Sequence, residues 1–276
     1  MVERALARDL RAKSKYVIPN AITALSIVMG MVSIYYAYQG QFVVAAWVIM
    51  YSTILDKLDG STARVLKASS PFGGQLDSFS DFVAFGIAPA FLVFVICSVD
   101  PKIKVAFEHK DTPFFLYASL VFFILTSALR LARFNITDLR GSRYMMGMAT
   151  TVAGGLAATY ILTCYKYLQF PVFVEMLQGI PYLMILLGAM QVSTFPIAKA
   201  GAKKTRFART FDAFGIVLSI VLIILRKFPE FLLGAAALYL IVSFAHAYKD
   251  RERIYAEWGL GPDALDAPSE EPTEEP

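Results

Sequence analysis

The chain has 276 residues, a net charge of +4, 57% hydrophobic residues and a mean hydropathy of +0.56. Only 17% of its residues are charged, so the composition excludes an ordinary water-soluble domain and indicates an integral membrane protein. The basic residues flank apolar segments rather than following one surface, which argues against nucleic acid as a partner. The only two cysteines, Cys97 and Cys164, support neither a disulfide framework nor a cysteine metal cluster.

Apolar segments that could cross a hydrocarbon core of about 30 Å as helices recur along the chain. We therefore predict an all-α integral membrane protein, a bundle of about eight transmembrane helices. The predicted spans are 17–38, 42–65, 75–98, 113–134, 147–165, 179–198, 209–226 and 230–248. We predict three regions: a basic cytoplasmic segment (1–16), a single membrane domain (17–250) and a cytoplasmic tail (251–276). The tail is predicted to be largely disordered after 258, because Pro and Glu dominate its composition.

The distribution of Lys and Arg predicts the orientation. If the N-terminus is cytoplasmic, the cytoplasmic segments carry 20 of the 26 Lys and Arg residues. The positive-inside rule then places both termini in the cytoplasm, and we expect a bacterial or archaeal cell membrane. Four further basic residues could set the topology, contact anionic lipids or serve a substrate site; they are Lys203, Lys204, Arg206 and Arg209.

The segment 56–81 (DKLDGSTARVLKASSPFGGQLDSFSD) places four aspartates among apolar segments. In a helix, Asp56 and Asp59 share one face, as do Asp77 and Asp81, because these pairs are three and four residues apart. Two facing helices would bring all four carboxylates together. Carboxylates repel at that distance, and hard divalent cations such as Mg²⁺ or Mn²⁺ prefer oxygen ligands, so the spacing indicates a two-metal site at the cytoplasmic membrane surface.

Small residues and one arginine accompany the aspartates. Gly60 and Ala63 lie on the helix face of the first acidic pair, and Gly73 precedes the second pair. Their small side chains would allow a nucleotide to approach the backbone closely. Arg64 can offer forked donors to a phosphate oxygen.

These residues match the pattern D-x2-D-G-x2-A-R-x8-G-x3-D-x3-D at all eight specified positions, and the chain thereby resembles the CDP-alcohol phosphotransferase family. The sequences IPNAITALSIVMG (18–30) and ALRLARFN (128–135) resemble the branch of this family that uses serine. The resemblance implies a CDP-alcohol phosphotransferase fold, a homodimer, and transfer of a phosphatidyl group from CDP-diacylglycerol to L-serine with release of CMP.

The resemblance also implies roles for individual residues. Asp81 would be the general base, and the two Mg²⁺ or Mn²⁺ ions would be bound by Asp56, Asp59, Asp77 and Asp81. The acyl chains of the donor would stay among the membrane lipids. The CDP group would contact Asp56, Asp59, Gly60, Ala63, Arg64, Gly73 and Asp77.

The acceptor site is less defined by the sequence. Arg130 and Arg133 could bind the acceptor or anchor a span at the membrane surface, and Asn135 could bind the acceptor or cap a helix. The segment GMATTVA (147–153) lacks the two prolines of the GLPxPAAA segment common in the serine-using branch. Inositol phosphate, glycerol 3-phosphate and choline therefore remain alternative acceptors.

Two other functional classes are compatible with a helical membrane protein. A transporter would place its acidic residues near the bilayer midplane of repeated halves, whereas here they lie at one end of adjacent spans and no repeat is visible. A non-catalytic scaffold would have no use for the complete set of eight motif positions.

Overall fold

A computed structural model describes residues 16–68, 70–108, 112–137, 144–198 and 206–258. Residues 1–15 of the predicted N-terminal segment and the tail after 258 lie outside these residues, as do Lys203 and Lys204. We number the elements in chain order within the described part. The α-helices are α1 (Val17–Tyr38), α2 (Phe42–Val65), α3 (Pro71–Asp81), α4 (Ala88–Val99), α5 (Thr112–Ile136), α6 (Thr150–Lys166), α7 (Pro171–Gln178), α8 (Ile180–Val192), α9 (Arg206–Leu225), α10 (Pro229–Lys249) and α11 (Arg251–Glu257).

Helices α1 and α2 form the principal hairpin of the fold. Gly40 turns the chain between them with a φ of +74°, a conformation that glycine adopts without steric cost. The buried side of α1 consists of small or polar residues spaced three or four apart: Pro19, Thr23, Ser26, Gly30, Ser33 and Ala37. Its large apolar side chains, such as Leu25, Val28 and Met31, are exposed instead. This distribution is typical of a membrane helix that packs through small residues and faces lipid with large ones.

Helices α3 and α4 form one long segment interrupted by a π-helix, Phe82–Ile87. Helices α1 and α6 pack closely against the π-helix. A Cβ atom added to Gly30 of α1 would lie 3.0 Å from Cα of Ala84, and one added to Gly154 of α6 would lie 2.7 Å from Cβ of Phe85. Glycine at these two positions therefore allows neighbouring helices to approach the backbone directly after Asp81.

Four described helices are long and apolar enough to span a membrane, α1, α3–α4 (Pro71–Val99), α5 and α10. Helices α7 and α8, bent by 51°, would make a fifth if they form one broken span. The prediction of eight spans is therefore not confirmed, although a multi-pass membrane protein is. Helices α2 and α6 are not among the four. Helix α2 carries charged residues in its second half, and α6 is only 17 residues long.

The structure corrects the all-α prediction in one detail. Two short strands, β1 (Tyr144–Met146) and β2 (Pro196–Ala198), pair antiparallel with Met145 opposite Ile197. A short 3₁₀ helix, Lys104–Phe107, follows α4. The predicted span 179–198 therefore ends earlier, at Val192, and its last residues are extended rather than helical. The strands join the ends of the loops that precede α6 and follow α8.

Candidate active site

The two halves of the aspartate motif face each other because the chain reverses tightly between α2 and α3. The α2 helix ends where Lys67 adopts a left-handed φ of +48° and the backbone N–H of Ala68 donates to the carbonyl of Ala63. Ser70 then caps α3, its hydroxyl accepting from the backbone N–H of Gly73 at 3.0 Å, and Pro71 occupies the first turn.

Three of the four motif aspartates form a compact cluster between these helices. Asp56, Asp59 and Asp77 each offer a carboxylate oxygen, and the three oxygens lie within 4.8 Å of one another. Asp59 is buried and the other two are half-buried. Oxygen donors at this spacing fit a hard divalent cation, which would also relieve their mutual repulsion.

Asp81 lies beside this cluster without belonging to it. Its side chain is 8% exposed, and it accepts a long hydrogen bond from the hydroxyl of Thr151, whose Oγ1 lies 3.5 Å from Oδ2 of Asp81. Asp81 also interacts electrostatically with Asp56 and Asp77. The carboxylate is therefore shielded from solvent at the inner edge of the acidic cluster.

Arg130 supplies the positive charge nearest to the acidic cluster among the predicted acceptor residues. Its side chain is buried in α5 and interacts electrostatically with Asp81, Asp56 and Asp77. The guanidinium carbon lies 5.1 Å from the centre of the Phe134 ring, a cation–π contact. Its acceptor-binding role stays a prediction.

Arg133 has a different environment from Arg130. Its guanidinium donates to four backbone carbonyls, those of Val192 at 2.9 Å, Gln191 at 3.0 Å, and Met146 and Ser193 at 3.2 Å. Three of these carbonyls belong to the C-terminal end of α8, where helix geometry leaves carbonyls without a partner. Arg133 thus joins α5, α8 and the end of β1, and binding an acceptor would compete with these bonds.

Replacing Arg133 with lysine is expected to lower the thermal midpoint of the purified protein by several degrees. Lysine keeps the charge but cannot donate to four carbonyls at once. Each hydrogen bond from a charged donor contributes up to about 3 kcal/mol to the free energy of unfolding, and this contribution is lost with the bond. The measurement is thermal unfolding in detergent, with the exposed Arg253→Lys as the control. An unchanged midpoint together with a raised acceptor KM would instead support the acceptor-binding role.

Asn135 connects α5 to the second motif helix. Its Oδ1 accepts from the Ser78 hydroxyl at 3.1 Å, and its Nδ2 donates to Oε1 of Gln75 at 3.3 Å. Because Ser78 follows Asp77, this contact holds α3 against the C-terminal end of α5. Both the capping and the acceptor-binding interpretations of Asn135 remain predictions.

The predicted CDP-binding residues other than the aspartates lie on the same two motif helices, α2 and α3. The Arg64 side chain is exposed and lies above Gly60, such that a Cβ atom at position 60 would be 3.6 Å from Nη1 of Arg64. Arg64 also donates to the Ser61 hydroxyl at 3.2 Å. Ala63 and Gly73 are half-buried. Their roles in CDP binding stay predictions.

Sequence reasoning overlooked three hydroxyl side chains that connect the motif helices to α1 and α6. Thr23 of α1 donates to Asp59, Ser80 donates to the Thr23 carbonyl, and Thr151 of α6 donates to Asp81. A signal for Thr23 was present, because it belongs to the stripe of small and polar residues on α1. In an otherwise apolar membrane helix such a stripe indicates the face that packs against protein.

The fold and the acidic cluster define a multi-pass integral membrane protein with a centre suited to divalent cations. The profile of the family described as CDP-alcohol phosphatidyltransferase matches residues 16–180, more than half of the chain. The chain therefore belongs to the CDP-alcohol phosphatidyltransferase family.

Curated relatives carry related names. A CDP-diacylglycerol–serine O-phosphatidyltransferase of Helicobacter pylori is 37% identical over 154 residues, which is 55% of this chain and 60% of the relative. The protein of the same name from Mycobacterium leprae is 38% identical over 128 residues, 46% of this chain and 39% of the relative. Archaetidylserine synthase of Methanothermobacter thermautotrophicus is 26% identical over 185 residues, 64% of this chain and 74% of the relative. The chain thus spans less than two thirds of the length of the first two.

Proposed function

We propose that this protein transfers the phosphatidyl group of CDP-diacylglycerol to the hydroxyl of L-serine, forming phosphatidylserine and releasing CMP. The observation that carries the proposal is the convergence of Asp56, Asp59 and Asp77, with Asp81 beside them, between two facing helices. The names of the relatives support serine as the acceptor.

In this reaction the acceptor oxygen forms a bond to the β-phosphorus of CDP-diacylglycerol, and the bond from that phosphorus to the bridging oxygen breaks. The electron pair of the broken bond leaves with CMP. Asp81 accepts the proton of the acceptor hydroxyl, and its burial beside the acidic cluster keeps this proton transfer out of bulk water.

Asp56, Asp59 and Asp77 would hold the divalent cations, with Asp81 as an additional ligand. When bound, Mg²⁺ or Mn²⁺ would neutralise the pyrophosphate charge and stabilise the developing alkoxide, most effectively as a pair of ions. Arg64 and the small residues Gly60, Ala63 and Gly73 would bind the CDP part beside the acidic cluster.

The lipid part of the donor accounts for the position of the site. The acidic cluster lies where the apolar first half of α2 gives way to its charged second half. A donor whose acyl chains remain in the bilayer would reach such a site with its head group alone. We propose a cytoplasmic site, cytoplasmic termini, eight spans in total and a homodimer, following the charge distribution, the apolar segments and the family resemblance.

The acceptor can be identified by measuring CMP release from purified protein supplied with CDP-diacylglycerol and Mn²⁺. L-serine is expected to support release, whereas O-methylserine is not, because it retains the charged groups and lacks the attacking hydroxyl. Inositol phosphate, glycerol 3-phosphate and choline are tested in parallel. Release with one of these and not with serine would reassign the acceptor, and no release with any alcohol would refute the transferase activity.

A further inference from the structure

Thr23 of α1 contacts the acidic cluster from outside the aspartate motif. Its side chain is 4% exposed, and its hydroxyl oxygen lies 2.7 Å from Oδ2 of Asp59 and 3.0 Å from the carbonyl of Pro19. A hydroxyl has one proton for these two acceptors. The shorter distance and the charge of the carboxylate favour donation to Asp59.

The carboxylate of Asp59 is held on both of its oxygens. Oδ2 accepts from Thr23, while Oδ1 accepts a short hydrogen bond from the backbone N–H of Gly60. Each carboxylate oxygen can accept two bonds, so each retains a lone pair for a cation. The two donors therefore fix the plane of the carboxylate without using up its capacity to bind a metal.

Thr23 also contacts the other motif helix through its backbone. The hydroxyl of Ser80, which is buried, donates to the carbonyl oxygen of Thr23 at 3.1 Å. Ser80 directly precedes Asp81 in α3. A single residue of α1 is thus bonded to Asp59 of α2 through its side chain and to the neighbour of Asp81 through its main chain.

We propose that Thr23 is a positioning residue that sets the orientation of Asp59 and the spacing of the two carboxylate-bearing helices for divalent-cation binding. Outer partners of this kind commonly change metal affinity by 10- to 100-fold when removed, because a ligand that is free to rotate must be ordered upon binding. The inference rests on the proposed role of Asp59 as a metal ligand and adds a residue outside the motif to that site.

The test compares two substitutions that separate shape from hydrogen bonding. Thr23→Val keeps the shape and loses the hydroxyl, whereas Thr23→Ser keeps the hydroxyl and loses a methyl group. Mn²⁺ binding to the purified protein is measured by electron paramagnetic resonance without substrate, together with the thermal midpoint of the metal-free protein. We expect Thr23→Val to weaken Mn²⁺ binding by about tenfold or more and Thr23→Ser to restore it to within about threefold of wild type.

Ser26 provides the matched control. It lies on the same buried stripe of α1, one turn after Thr23, and its buried hydroxyl oxygen has no hydrogen-bond partner among the described residues. Ser26→Ala should leave Mn²⁺ binding unchanged. Ser80→Ala, which removes only the link to α3, should weaken Mn²⁺ binding less than Thr23→Val does, and it serves as the test if Thr23→Val does not fold.

The outcomes distinguish the inference from the proposed function. Wild-type Mn²⁺ affinity in Thr23→Val, or in Ser80→Ala where Thr23→Val does not fold, would overturn the positioning role and leave the transferase proposal intact. A lowered midpoint in Thr23→Val with unchanged Mn²⁺ affinity would likewise show a purely structural residue. Absence of Mn²⁺ binding by the wild-type protein would overturn both the metal role of Asp59 and this inference.

Discussion

Replacing Asp81 with asparagine is expected to lower the rate of CMP release by about 1,000-fold, because asparagine preserves the shape of the side chain and cannot accept the acceptor proton. General bases contribute about 10²- to 10⁴-fold to such reactions. The carboxylates of Asp56, Asp59 and Asp77 stay in place in this variant, so Mn²⁺ binding should persist, weakened by the loss of one carboxylate ligand. The measurements are CMP release at saturating serine and Mn²⁺ titration of the same preparation.

A suitable control for this substitution is Asp250→Asn. Asp250 is an exposed aspartate that follows α10 and accepts a hydrogen bond from Tyr144, far along the chain from the motif. Its replacement should leave CMP release within about twofold of wild type, as expected for a surface substitution away from the site. Wild-type turnover by Asp81→Asn would remove Asp81 from the role of base and direct attention to the other three carboxylates.

Gly154→Ala is expected to lower the free energy of unfolding by about 1–3 kcal/mol, the usual cost of inserting a methyl group into a closely packed interior. The added Cβ would lie 2.7 Å from Cβ and 2.8 Å from both Cα and the carbonyl oxygen of Phe85. Two of these three atoms belong to the backbone of the π-helix, so a change of side-chain rotamer cannot relieve the collision. Thermal unfolding in detergent measures the effect.

The neighbouring glycine is the control for this experiment. A Cβ added to Gly155 meets no atom of the described part of the chain within 4 Å. Gly155→Ala should therefore leave the thermal midpoint unchanged or raise it slightly, since alanine is more favourable than glycine in a helix interior by about 0.8–1 kcal/mol. Equal thermal midpoints for the two variants would contradict the close contact between α6 and the π-helix. Because Phe85 lies one turn beyond Asp81, Gly154→Ala is also expected to reduce CMP release.

Local sequence features predicted much of the architecture near the site. The predicted spans 17–38 and 42–65 coincide with α1 and α2, because a glycine turn separates two continuous helical segments. The three- and four-residue spacings of the aspartates predicted four carboxylates converging from two helices, and the structure clusters three of them, with Asp81 beside the cluster. Both inferences depend on regular helix geometry, which short stretches of sequence encode well.

The features that the sequence did not predict depend on contacts between distant segments. Strands β1 and β2 are about 50 residues apart, and each is only three residues long. The partners of Arg133 are backbone carbonyls, a group that every residue possesses and that no side-chain pattern distinguishes. Helix α7 and its 51° bend to α8 precede the predicted span 179–198 and were not predicted, since a Gly-Ile-Pro sequence permits a break without specifying its angle.

The π-helix at Phe82–Ile87 changes the rotational phase of the chain immediately after Asp81. A π-helical turn accommodates one additional residue, which shifts the side chains that follow by about 100° relative to a continuous α-helix. The direction in which Asp77 and Asp81 point is thereby offset by a fixed angle from the direction in which the buried side of α4 faces. With this offset, α3 presents Asp77 to α2 while α4 packs its buried side into the core. Deleting a single residue within 82–87 would rotate the aspartates relative to α4 while preserving every motif position.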